Sequence, residues 1–320
     1  MFATPAIRAL RFNLPQARIV ILANQLGVEV FKNNPYQIEV LNCTDQWDLL
    51  KRLVEIRRCG FDLALGLSQI GSFFTRFCGT PFRSDFFSIS SKEVRSVVKI
   101  CLEVIFQAGL MVNTYETEFW LSESEQRKVD LFLKKEKGDL DQPLLAVHFG
   151  GHYFARKRWP LWNFIRLIAA IVAETSYQVI LVGGKEDMED AGTIQSIIPQ
   201  VINTAGRFSL GETGALLRRC SLLIANDSGP LHLGAAIGTP TIGLFGPTAP
   251  SQFFPYSQPL HRYIYKNFPC SPCYRFGGGF WQYLPRCSKA YCMEEIEVNE
   301  VLELVMNRGY SMKNALVEVT

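Results

Sequence analysis

Apolar runs alternate with amphipathic stretches along the whole chain, and this alternation predicts an α/β protein with parallel strands and helical crossovers. In the first half, apolar positions three and four residues apart predict a helix over 45–58, and the apolar run 61–66 predicts a buried strand. Longer helices are predicted over 92–109, which ends in glycine, and over 122–137, which opens with the capping pattern SESE.

The alternation becomes more regular after residue 143. Strands are predicted over 144–148, 177–182, 201–203, 221–225 and 239–244, and helices over 161–174, 186–198, 210–219 and 228–237. Elements in this order fold into a doubly wound sheet, whose ligands bind outside the carboxyl ends of the strands. We therefore expect the loops after residues 148, 182, 225 and 244 to form one binding edge.

A polar stretch with Gly and Pro, residues 134–143, predicts a linker. The length of 320 residues suffices for two domains, which we expect over 1–140 and 141–320.

With 48% hydrophobic and 20% charged residues, the composition excludes disorder, collagen and a disulfide-rich miniprotein. The net charge of +3 gives no support for nucleic-acid binding. No apolar run reaches the roughly 18 residues of a spanning helix, and no signal-peptide pattern opens the chain, so we expect a cytoplasmic protein.

The sharpest candidate chemistry follows the strand predicted over 221–225, in the segment NDSGPLHLGAA. Asp227 or Ser228 can cap the next helix, and Pro230 suits its first turn. Free N–H groups at such a helix start can bind a diphosphate, and His232 could reach the same oxygens. The alternative interpretation is that Asp227 is only a helix cap and His232 a satisfied side chain.

Three further positions on the predicted binding edge carry candidate chemistry. The loop HFGGHYFARKRWP contains Lys157 between two arginines, which suits a phosphate oxygen, although such a charge run is also typical of a solvated face. Glu186 could accept from ribose hydroxyls or start a helix, and Phe208 could pack on a base or in the core. No GxGxxG follows a predicted strand, which disfavours a dehydrogenase.

The nine cysteines fall into two groups. Four of them, Cys270, Cys273, Cys287 and Cys292, form the pattern C-x2-C-x13-C-x4-C within the segment 270–292. This spacing is close to that of structural zinc sites, and the alternatives are reduced packing thiols or a disulfide. The scattered five are expected to be buried thiols.

Taken together, these motifs resemble glycosyltransferase family 9, the family of the bacterial ADP-heptose:lipopolysaccharide heptosyltransferases. The resemblance rests on the motifs KRWP at 157–160, LVGGKED at 181–187, AGRFSL at 205–210, NDSGPLHLGAA at 226–236 and PTIGLFGPTAP at 240–250, with CSPCY at 270–274. It implies a GT-B architecture, in which two Rossmann-like domains face each other across a cleft and the second binds the nucleotide-sugar donor.

Specific roles are implied by the resemblance as well. Lys157 corresponds to a lysine that neutralises the donor phosphates, and Asp227, Ser228, Gly229 and His232 correspond to the motif around the diphosphate and the sugar. Glu186 corresponds to a carboxylate that contacts the nucleoside, and Phe208 to an apolar residue that packs on adenine. Lys157 and Asp227 are the expected catalytic residues, and no cofactor is required for catalysis.

The implied reaction is inverting transfer of heptose from ADP-heptose to a lipopolysaccharide core acceptor, with peripheral contact at the cytoplasmic face of the inner membrane. The alternatives are another nucleotide-sugar donor, or a non-catalytic relic that binds nucleotide-sugars. The family's general base lies in a GD loop before its first TPA-x-RAL helix, whereas this sequence reaches TPAIRAL at residues 4–10. We therefore assign no base in this chain, and expect that Met1 is an internal methionine or that the gene is truncated.

Overall fold

The computed structural model describes residues 1–89, 96–136, 142–151, 155–256, 260–277, 280–283 and 289–315. The chain groups into two compact units. Unit 1 comprises Met1–Ser122, Ser251–Pro255 and Arg275–Tyr283, and unit 2 comprises Glu123–Pro250, Tyr256–Tyr274 and Leu284–Thr320. The domain limits of 1–140 and 141–320 stay a prediction.

Unit 1 contains short parallel strand pairs covered by helices. Its helices are α1 (Thr4–Asn13), α2 (Gln25–Phe31), α3 (Gln46–Cys59), α4 (Gln69–Thr75) and α5 (Val97–Gln107), and its strands are β1 (Val20–Ala23), β2 (Glu39–Asn42), β3 (Leu63–Gly66) and β4 (Phe82–Asp85). Strand β1 pairs in parallel with β2, and β3 with β4. Helices α1 and α5 contribute the best-buried apolar residues, among them Ala6, Ala9, Val98, Val104 and Ile105.

Side-chain caps determine where several of these helices begin. Asp45 accepts the N–H groups of Trp47 and Asp48 at the start of α3, and Ser96 accepts the N–H of Lys99 at the start of α5. The predicted helix over 45–58 is therefore confirmed. The helix predicted over 92–109 is described only from Val97, because Ser96 adopts extended backbone and caps it, and residues 90–95 lie outside the described ranges.

Unit 2 contains six parallel strands with helices between them. Its strands are β5 (Leu144–His148), β6 (Gln178–Leu181), β7 (Ile202–Asn203), β8 (Cys220–Asn226), β9 (Thr241–Phe245) and β10 (His261–Tyr265), and its helices are α6 (Glu123–Lys135), α7 (Leu161–Glu174), α8 (Met188–Ile197), α9 (Leu210–Arg218), α10 (Gly229–Ile237), α12 (Tyr291–Glu294) and α13 (Val298–Ala315). Three short elements complete the order, namely α11 (Pro250–Phe253), β11 (Tyr274–Gly277) and β12 (Phe280–Tyr283).

The order of strands in the unit 2 sheet is β10-β9-β8-β5-β6-β7, and every pair in it is parallel. Fully buried residues such as Leu145, Val147, Ile224 and Leu244 form its core with Phe164 of α7. From β5 the chain proceeds through β6 and β7 on one side, and then returns to the other side with β8. The topological switch point, where α/β sheets bind ligands, therefore lies between the carboxyl ends of β5 and β8.

Burial corrects one prediction about the scattered cysteines. Cys78, Cys101 and Cys220 are buried as expected, and burial raises the pKa of both Cys101 and Cys220 to about 12. Cys43 is only half-buried, and Cys59 is exposed because it is the last residue of the surface helix α3.

Among the described ranges, no helix combines the length and the apolar character needed to cross a bilayer.

Candidate functional site

The centre of the candidate site is Asp227, which directly follows β8 and is 6% exposed. Its Oδ2 accepts hydrogen bonds from Lys157 Nζ at 2.8 Å and from Thr248 Oγ1 at 2.6 Å, and its Oδ1 lies 3.1 Å from His232 Nε2. Burial raises the pKa of the Asp227 carboxyl, but the bonds and charges of His232 and Lys157 outweigh burial and hold the pKa well below its usual range. Asp227 is therefore a permanent carboxylate that orients two basic side chains.

Besides Asp227, Lys157 and His232 each have an aromatic neighbour. Lys157 Nζ lies 5.0 Å from the centroid of the Tyr274 ring, and His232 Nδ1 lies 3.0 Å from Tyr256 Oη. Burial, and then the charge of Asp227, raise the pKa of Tyr274, so its ring stays neutral beside the lysine. These contacts fix both ends of the cluster formed by Lys157, Asp227 and His232, which we call the Asp227 cluster.

Asn226 holds the lysine loop against the sheet. Its fully buried amide accepts the N–H of Trp159 at 3.0 Å and donates to the carbonyl oxygens of Phe149 and Gly150 at 3.0 Å each. Trp159 is itself buried and donates its indole N–H to Ile296 O at 2.9 Å. Because Lys157 stands two residues before this anchor, the end of β8 determines where the ammonium group lies.

The structure corrects the prediction that Asp227 or Ser228 caps α10. Ser228 is the N-cap residue, yet its side chain makes no capping bond, and Asp227 is engaged in its cluster. Ser228 Oγ instead lies 3.0 Å from His148 Nδ1 and 3.0 Å from Asn226 O. A Cβ placed on Gly229 would meet nothing within 4 Å, so the start of α10 adjoins open space.

His148 belongs to a second buried group behind Ser228. It is 4% exposed, and its Nε2 lies 3.6 Å from Oδ2 of Asp187, which is 2% exposed. Asp187 also accepts from Gly184 N at 3.0 Å and from Arg158 Nη2 at 3.2 Å. Burial raises the pKa of Asp187, but the interactions with His148, Gly184 and Arg158 outweigh it, and the pKa lies below its ordinary value. Gly150 is required here, because a Cβ on it would overlap the Asp187 carboxylate.

The structure brings together five of the predicted site residues and leaves two apart. Lys157, Asp227, Ser228, Gly229 and His232 converge at the carboxyl end of β8. Glu186 is exposed in the 3-10 turn Lys185–Asp187, and the half-buried Phe208 packs edge-on against Phe132 at 5.1 Å. Their nucleoside-binding roles stay predictions.

The predicted positive charge of the lysine loop is mostly balanced by acidic partners. Arg158 pairs with Asp187 and with Asp190, both at 3.2 Å, as Lys157 pairs with Asp227. The loop is therefore not a solvated face.

Sequence reasoning missed several partners of the site. Thr248 and His148 stand at or just after the carboxyl ends of β9 and β5, so their position on the binding edge was the available signal. Tyr256 lies in a loop and Tyr274 is the first residue of β11, and neither stands in a local pattern that indicates a contact with the cluster.

The structure gives no support to the predicted zinc site. Cys270 and Cys273 are half-buried, and Cys292 is buried beside Met293, against Gly246. Cys287 lies outside the described ranges. Among the residues that are described, no group of three or more His, Cys, Asp or Glu side chains could hold a metal ion.

The two buried carboxylates predict acid lability. Because the pKa values of Asp187 and Asp227 are lower in the folded than in the unfolded chain, their stabilising contribution is complete above the unfolded value of about 4 and is lost as pH falls below it. We expect the thermal midpoint to fall increasingly steeply as pH drops below about 4. Thermal scans at a series of pH values should show that the midpoint of Asp187→Asn falls less with decreasing pH than that of the wild type. An equal dependence of the midpoint on pH in the two proteins would contradict this assignment.

Comparison with known proteins agrees with the motifs. A family model described as glycosyltransferase family 9 (heptosyltransferase) matches residues 79–278. The lipooligosaccharide heptosyltransferase 2 of Haemophilus influenzae is 30% identical over 125 residues, which are 38% of this chain and only 35% of that relative's length. The lipooligosaccharide heptosyltransferase 2 of Campylobacter jejuni is 22% identical over 331 residues, covering 96% of this chain and 93% of the relative.

A solved structure shares the fold. The E. coli ADP-heptose lipopolysaccharide heptosyltransferase II superposes with a TM-score of 0.73 at 21% identity, covering 96% of this chain and 93% of that one. The predicted GT-B fold class is thereby confirmed.

Proposed function

Because the chain belongs to glycosyltransferase family 9, the heptosyltransferase family, we propose that it is an inverting glycosyltransferase that transfers heptose from ADP-heptose to a lipopolysaccharide core acceptor. The observation that carries the proposal is the Asp227 cluster beside the uncapped start of α10, at the switch point of the sheet. A departing nucleoside diphosphate is stabilised by fixed positive charge and N–H donors, and this edge offers both.

In this proposal Asp227 acts on the donor through its partners. Its carboxylate keeps Lys157 and His232 at a fixed spacing, so neither must be reorganised when charge develops on the leaving diphosphate. The N–H groups of Gly229 and Leu231 open the helix, and Pro230 between them contributes none. Lys157 and these N–H groups supply the charge compensation, so the transfer requires no cofactor.

The acceptor is proposed to be a lipid-linked saccharide, met at the cytoplasmic face of the inner membrane. Within unit 1, Phe73 of α4 and Phe77 are exposed and their ring centroids lie 4.9 Å apart, with the exposed Arg76 between them in sequence. Exposed aromatic rings beside a basic residue suit the interface of an anionic membrane.

A donor assay tests the proposal. The protein is incubated with ADP-heptose and a lipopolysaccharide truncated before its core heptose, and both ADP release and the mass of the acceptor are measured. We expect ADP release together with a mass increase of one heptose, with UDP-glucose and GDP-mannose as control donors. Turnover of a control donor alone would favour a different nucleotide-sugar, and tight ADP-heptose binding without hydrolysis or transfer would favour a non-catalytic binding protein.

Glu186 provides a test of the nucleoside end of the donor. If its exposed carboxylate accepts from the ribose hydroxyls, Glu186→Gln should raise KM for ADP-heptose by about 5- to 10-fold with little change in kcat, corresponding to roughly 1 kcal/mol. Glu189→Gln, which changes an exposed carboxylate one residue into α8, is the matched control and should leave KM unchanged. Equal KM values for the two variants would remove Glu186 from the donor site.

A further inference from the structure

We propose that His148 is a positioning residue of the donor site: by holding the Ser228 hydroxyl, it keeps the start of α10 uncapped and open to the donor diphosphate. This inference rests on the proposed function, because it concerns how the same site receives its anion. It assigns His148 a part in donor binding without any contact with the donor.

The first observation is that Ser228 has the backbone of a capping residue and does not cap. Its φ and ψ are −154° and 170°, almost the same as the −149° and 169° of Ser68. Ser68 accepts the N–H of Gly71 at 3.0 Å, and Ser209 likewise accepts the N–H of Glu212 at 3.3 Å. Backbone geometry therefore permits Ser228 to cap α10, and something else holds its side chain away.

The second observation identifies what holds it. Both hydrogen-bonding neighbours of Ser228 Oγ lie outside α10, namely His148 Nδ1 and Asn226 O, each at 3.0 Å. The ring of His148 is buried, and its Nε2 faces the Asp187 carboxylate. A carboxylate on that side favours the tautomer with the proton on Nε2, which leaves Nδ1 to share the single proton of the Ser228 hydroxyl with Asn226 O.

The Asp187 carboxylate is in turn fixed, so the imidazole has little freedom to release the serine. Arg158 donates to Asp187 Oδ1 at 3.2 Å, and the main-chain N–H of Gly184 donates to Oδ2 at 3.0 Å. His148 also stacks on Phe149, with ring centroids 6.5 Å apart and planes inclined by 23°. Arg158 therefore holds Asp187, Asp187 faces His148, and His148 contacts the Ser228 hydroxyl.

The position of the Ser228 side chain decides whether the main-chain N–H of Leu231 is free to bind a ligand. With Pro230 at the second helical position, the third position, Leu231, supplies the N–H that a Ser228 cap would occupy. Among the described residues, neither Gly229 N–H nor Leu231 N–H has an acceptor. A capped Leu231 N–H would be lost to a diphosphate, so His148 preserves one of two donors at this helix start.

A double-mutant cycle with ADP as the probe tests this. His148→Leu should weaken ADP binding about 5- to 20-fold in calorimetry, within the range of 2- to 30-fold that an N-cap bond corresponds to. In the Ser228→Ala background, the same His148→Leu change should alter the affinity less than about 2-fold, because alanine cannot cap. His148→Gln, whose amide oxygen can accept the serine hydroxyl, should retain most of the affinity and guards against a folding defect in His148→Leu.

Hydrogen exchange of the Leu231 amide supplies a readout that is independent of ADP. It should slow in His148→Leu and return to the wild-type rate in the double variant. An equal loss of affinity in both backgrounds, or unchanged exchange at Leu231, would overturn the role of His148. A wild-type protein that binds no ADP, with the exchange pattern intact, would instead contradict the proposed function and leave the capping competition supported.

Discussion

Replacing Lys157 by alanine is expected to slow the proposed transfer from ADP-heptose about 30- to 1,000-fold, which corresponds to about 2–4 kcal/mol of transition-state stabilisation. The ammonium group lies 2.8 Å from Asp227 and 5.0 Å from the Tyr274 ring, so it is held in place before the donor arrives. A charge that needs no reorganisation stabilises a leaving diphosphate more than a mobile surface lysine does. Steady-state kinetics of ADP release measures the effect, which should appear in kcat and in kcat/KM alike.

The control for this variant must also remove a lysine from an ion pair. Lys266 donates to Glu300 at 2.6 Å and is similarly half-buried, so Lys266→Ala loses a comparable pair away from the Asp227 cluster. We expect it to retain wild-type turnover. Because Lys157→Ala also leaves the Asp227 carboxylate without its lysine, thermal midpoints should be recorded for both variants. Unchanged turnover in a folded Lys157→Ala protein would remove Lys157 from the reaction.

Replacing Asp227 by alanine should lower the free energy of unfolding by about 3–5 kcal/mol, because it removes a buried carboxylate from the half-buried Lys157 and His232 and from the fully buried Thr248 hydroxyl. If Asp227 were only a helix cap, the loss would be about 1 kcal/mol. The larger value follows from its three partners, Lys157, Thr248 and His232. ADP affinity should fall as well, since the spacing of the two basic side chains depends on this carboxylate.

Denaturant unfolding followed by tryptophan fluorescence measures this loss, since Trp159 is buried in the same unit. Asp130→Ala is the matched control, because Asp130 pairs with Arg219 at 2.7 Å on the surface. Such an exposed pair contributes less than about 1 kcal/mol. A loss near 1 kcal/mol for Asp227→Ala would show that the cluster does not depend on its carboxylate.

The regular half of the fold was predictable because its signals are local. Strands predicted over 144–148 and 221–225 correspond to β5 and β8, since runs of apolar residues of that length form buried parallel strands. The start of a helix differs from the prediction where a side chain bonds to the main chain. The helix predicted over 186–198 begins as the 3-10 turn Lys185–Asp187, in which the Asp187 carboxylate accepts the N–H of Gly184.

The site was predictable as a location and as a set of residue types, but its bonding was not. Placing Lys157 and Asp227 on one edge required only the rule for parallel strands, and the structure joins them. The partner of Ser228 could not be inferred, because its local context indicates a helix cap and its actual partner, His148, stands 80 residues earlier. Likewise, the pairing of Arg158 with Asp187 makes Arg158 a support for His148, a role that its position in a basic run does not indicate.

By itself, the sequence determined the alternation of strands and helices, the family and the residue types available at the binding edge, because periodicity and motif spacing act over short stretches of chain. The tertiary structure alone decided which of those polar groups bond to one another. Lys157 and Asp227 are 70 residues apart, and they meet only because β5 and β8 are neighbours in the sheet. Hydrogen bonds act over about 3 Å, so strand order decides whether a side chain serves as a cap, an ion-pair partner or a ligand.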